Sequence, residues 1–407
     1  MRKVAIIGVG HTKFGMLKEK NLLDLLSEAS LQAMEDSNTS DKEFDSAFVG
    51  VMCAGEFNQL TGVASALVDR ISLLPAAADR VENGPASGGS AIKAGFQVIA
   101  SGMSDLVLVV GGEKMTHITT PGLITSKVAT ITHHQAERQH GVSLPSLAGL
   151  LTRTYLEKYN AKMEWISDIA IKNHKNGVLN PIAHFQKSID DLMKSAIQKG
   201  TGKWTNIYEY LNDDKANPII ADPLRLFHVC PISDGAAALV LCSADIAKKY
   251  CDTPILISGI GQATDNHIVY EREDITVLKA LRICSNQAYK MAKKTPQDMD
   301  VAELHDAFEI LEAVESEDIG FFKKGEGAKA AHEGLTEIGG KIPINPSGGL
   351  KARGHPLGAT GVAQVVELVW QLRGEAGKRQ INGVNAGITC NFGGFGNNIL
   401  SIIVERM

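Results

Sequence analysis

Short apolar runs of strand length alternate along the chain with stretches whose apolar residues recur every three or four positions. Val4-Ala-Ile-Ile-Gly-Val-Gly-His-Thr reads as a strand ending in a glycine turn, and Pro254-Ile-Leu-Ile-Ser-Gly-Ile-Gly-Gln-Ala-Thr repeats that plan in the second half. Each run precedes a helical pattern, Leu22 to Met34 and then Leu278 to Met291. Each half then carries a glycine-rich turn running into a helix, starting at Ala86-Ser-Gly-Gly and at Gly354-His-Pro-Leu-Gly. Late strands follow at Leu106-Val-Leu-Val-Val and Ile399-Leu-Ser-Ile-Ile-Val-Glu. One plan stated twice, with strands alternating with helices, predicts a duplicated α/β fold.

Residues 115–225 break the rhythm with mixed helical patterns and a basic excess. Arg153 to Lys203 holds nine Lys/Arg against five Asp/Glu. Such a stretch is either a solvated helical insertion or a lid whose cations meet a phosphate-bearing ligand. The division expected is one half from 1–114 and 226–253, an inserted lid at 115–225, and a second half at 254–407.

Composition narrows the class. With 407 residues, 44% hydrophobic, the chain has ample material for a core and no low-complexity tract. No apolar run reaches the ~18–20 residues of a membrane helix. The start runs straight into a strand pattern, so no cleaved signal is expected. A net charge of −5 gives no global case for nucleic acid. Six cysteines without a CxxC pair suit a reducing cytoplasm.

Two tempting motifs fail. Gly8-Val-Gly-His lacks the third glycine of a dinucleotide turn, because Lys13 stands there. His133, His134, Glu137 and His140 could align three ligands along a helical face, but the run is not HExxH and no metal is expected. Three later runs carry more: Glu303-Leu-His-Asp-Ala-Phe at a strand end, the glycine-rich Asn345 to Gly361 with His355 inside it, and Gly387-Ile-Thr-Cys-Asn-Phe-Gly-Gly, read as a loop. Glycine-rich loops at strand ends in one half of a duplicated fold suit an assembled site.

Gly354-His355-Pro356 followed by Leu-Gly-Ala-Thr-Gly resembles the GHP loop of thiolases. His305-Asp306-Ala307-Phe308 resembles the HDCF loop of the archaeal and sterol-carrier-protein branch. Val81 to Gly89 is similar to that branch's nucleophile loop, and Cys230-Pro-Ile-Ser-Asp-Gly-Ala-Ala-Ala is a further matching segment. The resemblance runs the length of the chain. It implies two βαβαβαββ halves layered α-β-α-β-α, an inserted loop domain, and a homodimer. It further implies acyl-CoA and CoA as substrates with no covalently bound cofactor, and a small zinc-ribbon/OB-fold partner subunit.

The departures are chemical. The family's nucleophilic cysteine is Pro85, its HDCF cysteine is Ala307, and its last-loop Cys-x-Gly reads Asn391-Phe392-Gly393, with Cys390 one place earlier. Proline offers neither a thiol nor the backbone N–H that pairs in the family with the last-loop glycine, here Gly393, to hold an acyl oxyanion. What survives is the enolate-stabilising pair, His355 and His305. Cys390 and Asn391 are the further catalytic candidates, Ser87 supports the first loop, and Gly354 and Phe308 contact substrate. Cys53 follows a strand, and Cys242, Cys251 and Cys284 read as packed residues.

These residues leave two classes open. One is an enzyme acting on a carbon–carbon bond of an acyl-CoA, either by Claisen-type acyl transfer on a β-oxoacyl-CoA or by retro-aldol cleavage of a β-hydroxyacyl-CoA, which needs no thiol. A bulky or aromatic acyl group is expected of a divergent member, among which the chain resembles the benzoylsuccinyl-CoA thiolase large subunit, though no motif here selects the acyl group. The other class is a non-catalytic thiolase-like scaffold, against which the retained His305 and His355 argue.

Overall fold

Val4–His11 forms strand β1, and all eight of its residues are buried. Helix α1 (Leu22–Asp36) lies flat across it, started by Asn21, whose side chain accepts from the Asp24 N–H at 2.9 Å. The glycines expected to turn the chain instead sit inside the strand. A Cβ on Gly8 would lie 2.2 Å from the Ala33 carbonyl oxygen, and one on Gly10 2.1 Å from that of Ala29. Both keep the strand bare where the helix backbone rests on it. The second half repeats the device: Gly259 and Gly261 lie within strand β8 (Ile255–Thr264), against Ala288 and Cys284 of the covering helix Lys279–Ala292.

The computed structural model describes residues 1–120 and 122–407. The other strands are β2 (Ser46–Gly50), β3 (Ala77–Val81), β4 (Leu106–Glu113), β5 (Ile219–Ala221), β6 (Leu224–Arg225), β7 (Gly235–Ser243), β9 (Val301–Glu303), β10 (Ala386–Gly393) and β11 (Asn398–Arg406). Nine form one sheet in the order β3-β2-β4-β7-β1-β8-β11-β10-β9; β5 and β6 pair separately. The two halves are mirrored about the β1–β8 seam, where Val4, Ala5 and Ile6 pair antiparallel with Ile257, Leu256 and Ile255. In the second half a single parallel bridge, Ala302 to Ile344, stands where β3 stands in the first.

Two helices fill the centre. The inner faces of strands from both halves pack with α2 (Ser87–Ser101) and the helix Thr360–Arg373 in one apolar cluster. The outer face of the first half packs on α1, and that of the second on the helices Lys279–Ala292 and Glu309–Asp318. In chain order the later helices are α3 (Met163–Leu179), α4 (Lys279–Ala292), α5 (Glu309–Asp318) and α6 (Thr360–Arg373). This is the layered, duplicated α/β architecture the repeated plan predicts. Among the described residues, no helix is long and apolar enough to cross a membrane.

Candidate active site

The N-termini of α2 and α6 meet the ends of β9 and β10 beneath the segment that joins β4 to β7. A cavity of about 270 Å³ opens there, lined by Pro85, Cys230, His305, Phe308, His355, Phe392 and a ring of aliphatic side chains. From above, Ile124, Val128, Leu144, Pro145 and Ile220 close over it. The two helix N-termini bring the positive ends of their dipoles to an otherwise apolar wall, so the site suits developing negative charge.

Backbone detail aims each histidine. Gly354 has φ of 111°, and a Cβ there would meet the Ser233 hydroxyl at 2.8 Å, so glycine is needed to turn His355 inward. His305 lies two residues past the end of β9, with its N–H held by the Glu315 carboxylate at 2.8 Å. The two rings meet edge to face at 5.0 Å, and His305 stacks on Phe392 at 5.2 Å.

Both rings are neutral. Burial, then the nearby Arg353 guanidinium, lowers His355 to about 3. Burial, then His355 and Arg353, holds His305 well below the usual imidazole range. The Asn391 side-chain amide and the Phe392 N–H both approach His305 Nδ1 at 3.5 Å as donors, which leaves the ring proton on Nε2. His355 Nδ1 meets the Thr360 hydroxyl at 2.7 Å. Both residues line the cavity, and neither Nε2 has a hydrogen-bond partner within the described residues.

Other expected residues build the walls. Pro85 lines the cavity, and its carbonyl accepts from Asn391 Nδ2 at 3.4 Å. Asn391 Oδ1 takes the Gly89 N–H at 3.2 Å, and a Cβ on Gly361 would sit 2.3 Å from that oxygen. Asn391 thus stitches the starts of α2 and α6 to the first loop. Ser87 is fully buried and donates to the Gly84 carbonyl at 2.6 Å, which pins that loop from below. Gly393 ends β10 against Asn83, while Phe308 reaches the cavity.

One expectation changes. The run from Gly387 is strand rather than loop, because β10 continues to Gly393 in register with β11. Cys390 therefore lies in the core packed behind the cavity, beside Glu315 and Cys284, and burial followed by Glu315 pushes its thiol well up. The structure does not bring it to the site. His134 to Glu137 forms turns that lead into a short 3-10 helix at Arg138–His140, and Glu137 spends its oxygens on the N–H groups of Val269 and His133 at 2.9 and 3.1 Å. Cys53 caps a short helix and lies outside the cavity lining, packed with Phe57 and Leu357, with its N–H on Glu113 at 3.2 Å.

The sequence reading also missed Cys230, Arg353 and Thr360. The last two lie inside the glycine-rich run; Cys230 lies in a segment noted only for its resemblance. Arg353 is buried and pairs with Glu303 at 3.0 Å; its Nε and Nη2 find no partner among the described residues. Behind it, Asp306, Glu309 and Glu312 crowd within 4.8 Å of one another. Lys172 of α3 donates to Glu312 at 2.5 Å, and Asn173 to Asp306 and Glu312 at 2.9 and 3.0 Å. This cluster locks α3 and α5 to the His305 loop.

A model of the thiolase N-terminal domain matches residues 4–245, and one described as thiolase C-terminal domain-like matches residues 261–406. The chain is 42% identical over 408 residues to the acetyl-CoA acetyltransferase of Methanothermobacter thermautotrophicus, covering all of both chains. It is 32% identical to Homo sapiens sterol carrier protein 2 over 97% of this chain and 70% of that one. Among solved structures, the Ltp2-ChsH2(DUF35) aldolase superposes with a TM-score of 0.81 at 22% identity, covering 99% and 98% of the two chains. Human mitochondrial 3-ketoacyl-CoA thiolase in complex with CoA gives 0.71 at 18%, covering 100% and 98%. At these identities the two structures establish the fold.

Proposed function

Because the chain belongs to the thiolase family, we propose that it makes or breaks a carbon–carbon bond of a β-oxoacyl-CoA through a thioester enolate, transferring the acyl group to CoA without a covalent intermediate at residue 85. The observation that carries this is the neutral pair His305 and His355, edge to face on the wall of one apolar cavity, each with Nε2 free of a partner among the described residues. A neutral N–H stabilises an enolate oxygen without giving up its proton, and a dry wall strengthens that bond. In the cleavage direction the CoA thiol attacks the β-carbonyl, the Cα–Cβ bond breaks, and its electron pair becomes the enolate.

A second reading is favoured by Pro85, Ala307 and Asn391 standing where thiols would be. In retro-aldol cleavage of a β-hydroxyacyl-CoA the same histidines hold the same enolate, and no acyl acceptor is needed. In both readings CoA enters beneath residues 115–225, acting as a lid between the 1–114 plus 226–253 half and the 254–407 half. The apolar rim suits an acyl group larger than acetyl. We also propose a homodimer through the exposed edge strand β3, and a small zinc-ribbon/OB-fold partner subunit. The ChsH2(DUF35) partner of the Ltp2 aldolase supports an accessory subunit in general.

The test is product analysis by mass spectrometry with a panel of β-oxo- and β-hydroxyacyl-CoAs, alongside intact-protein mass. Paired acyl-CoA products without an adduct support acyl transfer, while an aldehyde or ketone plus one acyl-CoA supports the second reading. An acyl group mapped to residues 81–93 overturns the non-covalent route. Neither turnover nor calorimetric CoA binding, with or without a partner subunit, leaves the scaffold class.

A further inference from the structure

An enolate formed in this cavity must gain a proton at its α-carbon before product leaves. His305 and His355 are poor sources, since each is already neutral and would become an imidazolate. Apart from them, the described lining holds one titratable side chain, Cys230. Its placement is fixed by pairing. Val229 and Phe308 form an antiparallel bridge, and the Cys230 N–H donates to the Ala307 carbonyl at 3.0 Å. Cys230 and Ala307 are therefore directly opposed, with side chains on one face. Both line the cavity with the two histidines, whose unpartnered Nε2 atoms mark where a polar ligand must sit.

We propose that Cys230 is the acid–base residue at the substrate α-carbon, a role that rests on the enolate reading above. In cleavage the Cα–Cβ electron pair passes to Cα, and the Cys230 S–H bond breaks as its proton forms the new Cα–H bond. The thiolate left on Sγ is reprotonated by the proton that the attacking CoA thiol, or the β-hydroxyl of the alternative substrate, gives up. In the reverse direction Cys230 first gives its proton to solvent, and the thiolate so formed removes the α-proton. Burial pushes the thiol up to about 12, which keeps the proton on sulfur at neutral pH and suits a donor better than a nucleophile. Lys351 lies buried beside it, its ammonium on the Val229 and Leu226 carbonyls at 2.7 and 3.3 Å, and offsets the transient thiolate charge.

The test is exchange of acetyl-CoA α-protons in D₂O, followed by mass spectrometry, on the full chain with any subunit that copurifies. The wild type should exchange, His355→Ala should not, and Cys230→Ala and Cys230→Ser should slow exchange by about 10²-fold or more, the lower end for a positioned acid–base group. Calorimetric CoA binding should persist in both Cys230 variants. Cys230→Ser differs by one atom and separates lost chemistry from lost packing. Exchange at wild-type rate in either variant overturns the role of Cys230 and leaves the enolate reading standing. No exchange in the wild type overturns both.

Discussion

Replacing His355 by alanine removes one of two donors to the enolate and little else. The ring already borders open space, so truncation enlarges an existing cavity and costs the fold mainly the 2.7 Å bond to Thr360, about 1 kcal/mol. Losing one preorganised oxyanion donor lowers kcat by about 10²–10³, or roughly 3–4 kcal/mol. Because the charge exists only at the transition state, the loss should fall on kcat with KM nearly unchanged. Thr360 sharpens the test. A proton on His355 Nε2 requires a lone pair on Nδ1, so the Thr360 hydroxyl must donate to it, in competition with the Pro356 carbonyl at 3.0 Å. Thr360→Val leaves that buried nitrogen unpaired, at about 1–3 kcal/mol, or roughly 5- to 150-fold in kcat. Thr360→Ser should restore most of it. Since Thr360 acts through His355, the double variant should be no slower than His355→Ala alone. Initial rates with a turned-over acyl-CoA measure all four. Additive losses, or a KM effect with kcat intact, would refute the reasoning.

Pro85→Cys places a thiol in the cavity wall at the start of α2, and should yield an acyl adduct on residues 81–93 by peptide mass spectrometry that the wild type lacks. Arg353→Met strips the partner from Glu303, which burial already raises to about 7. Denaturant unfolding should show a loss of about 3–5 kcal/mol, smaller when Glu303→Gln is added. The buried His355 gives stability a pH signature. Its folded value near 3 lies below the unfolded 6.5, so the unfolded chain takes up the proton first and stability falls as pH drops from 6.5 towards 3. At pH 5 this amounts to about 2 kcal/mol. Urea unfolding at pH 7 and 5 should show that His355→Gln shrinks the difference by about that amount.

The repeated plan was legible because it is local. Helix spacing from Leu22 and Leu278, and the apolar runs at Val4 and Ile255, survive into α1, α4, β1 and β8 almost unchanged. The glycines in those strands were misread as turns because the helix backbone they admit comes from residues some twenty to thirty positions on. His305, His355 and Pro85 could be named from motif resemblance, yet their convergence depends on the two halves docking. Cys230 escaped notice because its importance lies in its pairing with Ala307, a contact between remote segments. Cys390 was misplaced for the opposite reason: its strand continues past the glycine-rich signal that suggested a loop, and alternation turns the thiol into the core.

The seam between the halves also bears on how the chain is made. Strand β1 leaves the ribosome more than 200 residues ahead of its partners, β7 and β8, with Val4 opposite Ser243 and Ile257. At roughly 5–20 residues per second, the eight-residue Val4–His11 strand waits on the order of 10–50 s for a neighbour. Throughout that interval an apolar strand with both edges unpaired is tethered to a growing chain, able to join any passing edge. The sheet's centre is thus begun first and closed late. Synthesis rate and the supply of chaperones that shelter nascent apolar segments should therefore govern yield more strongly than the finished fold's stability does.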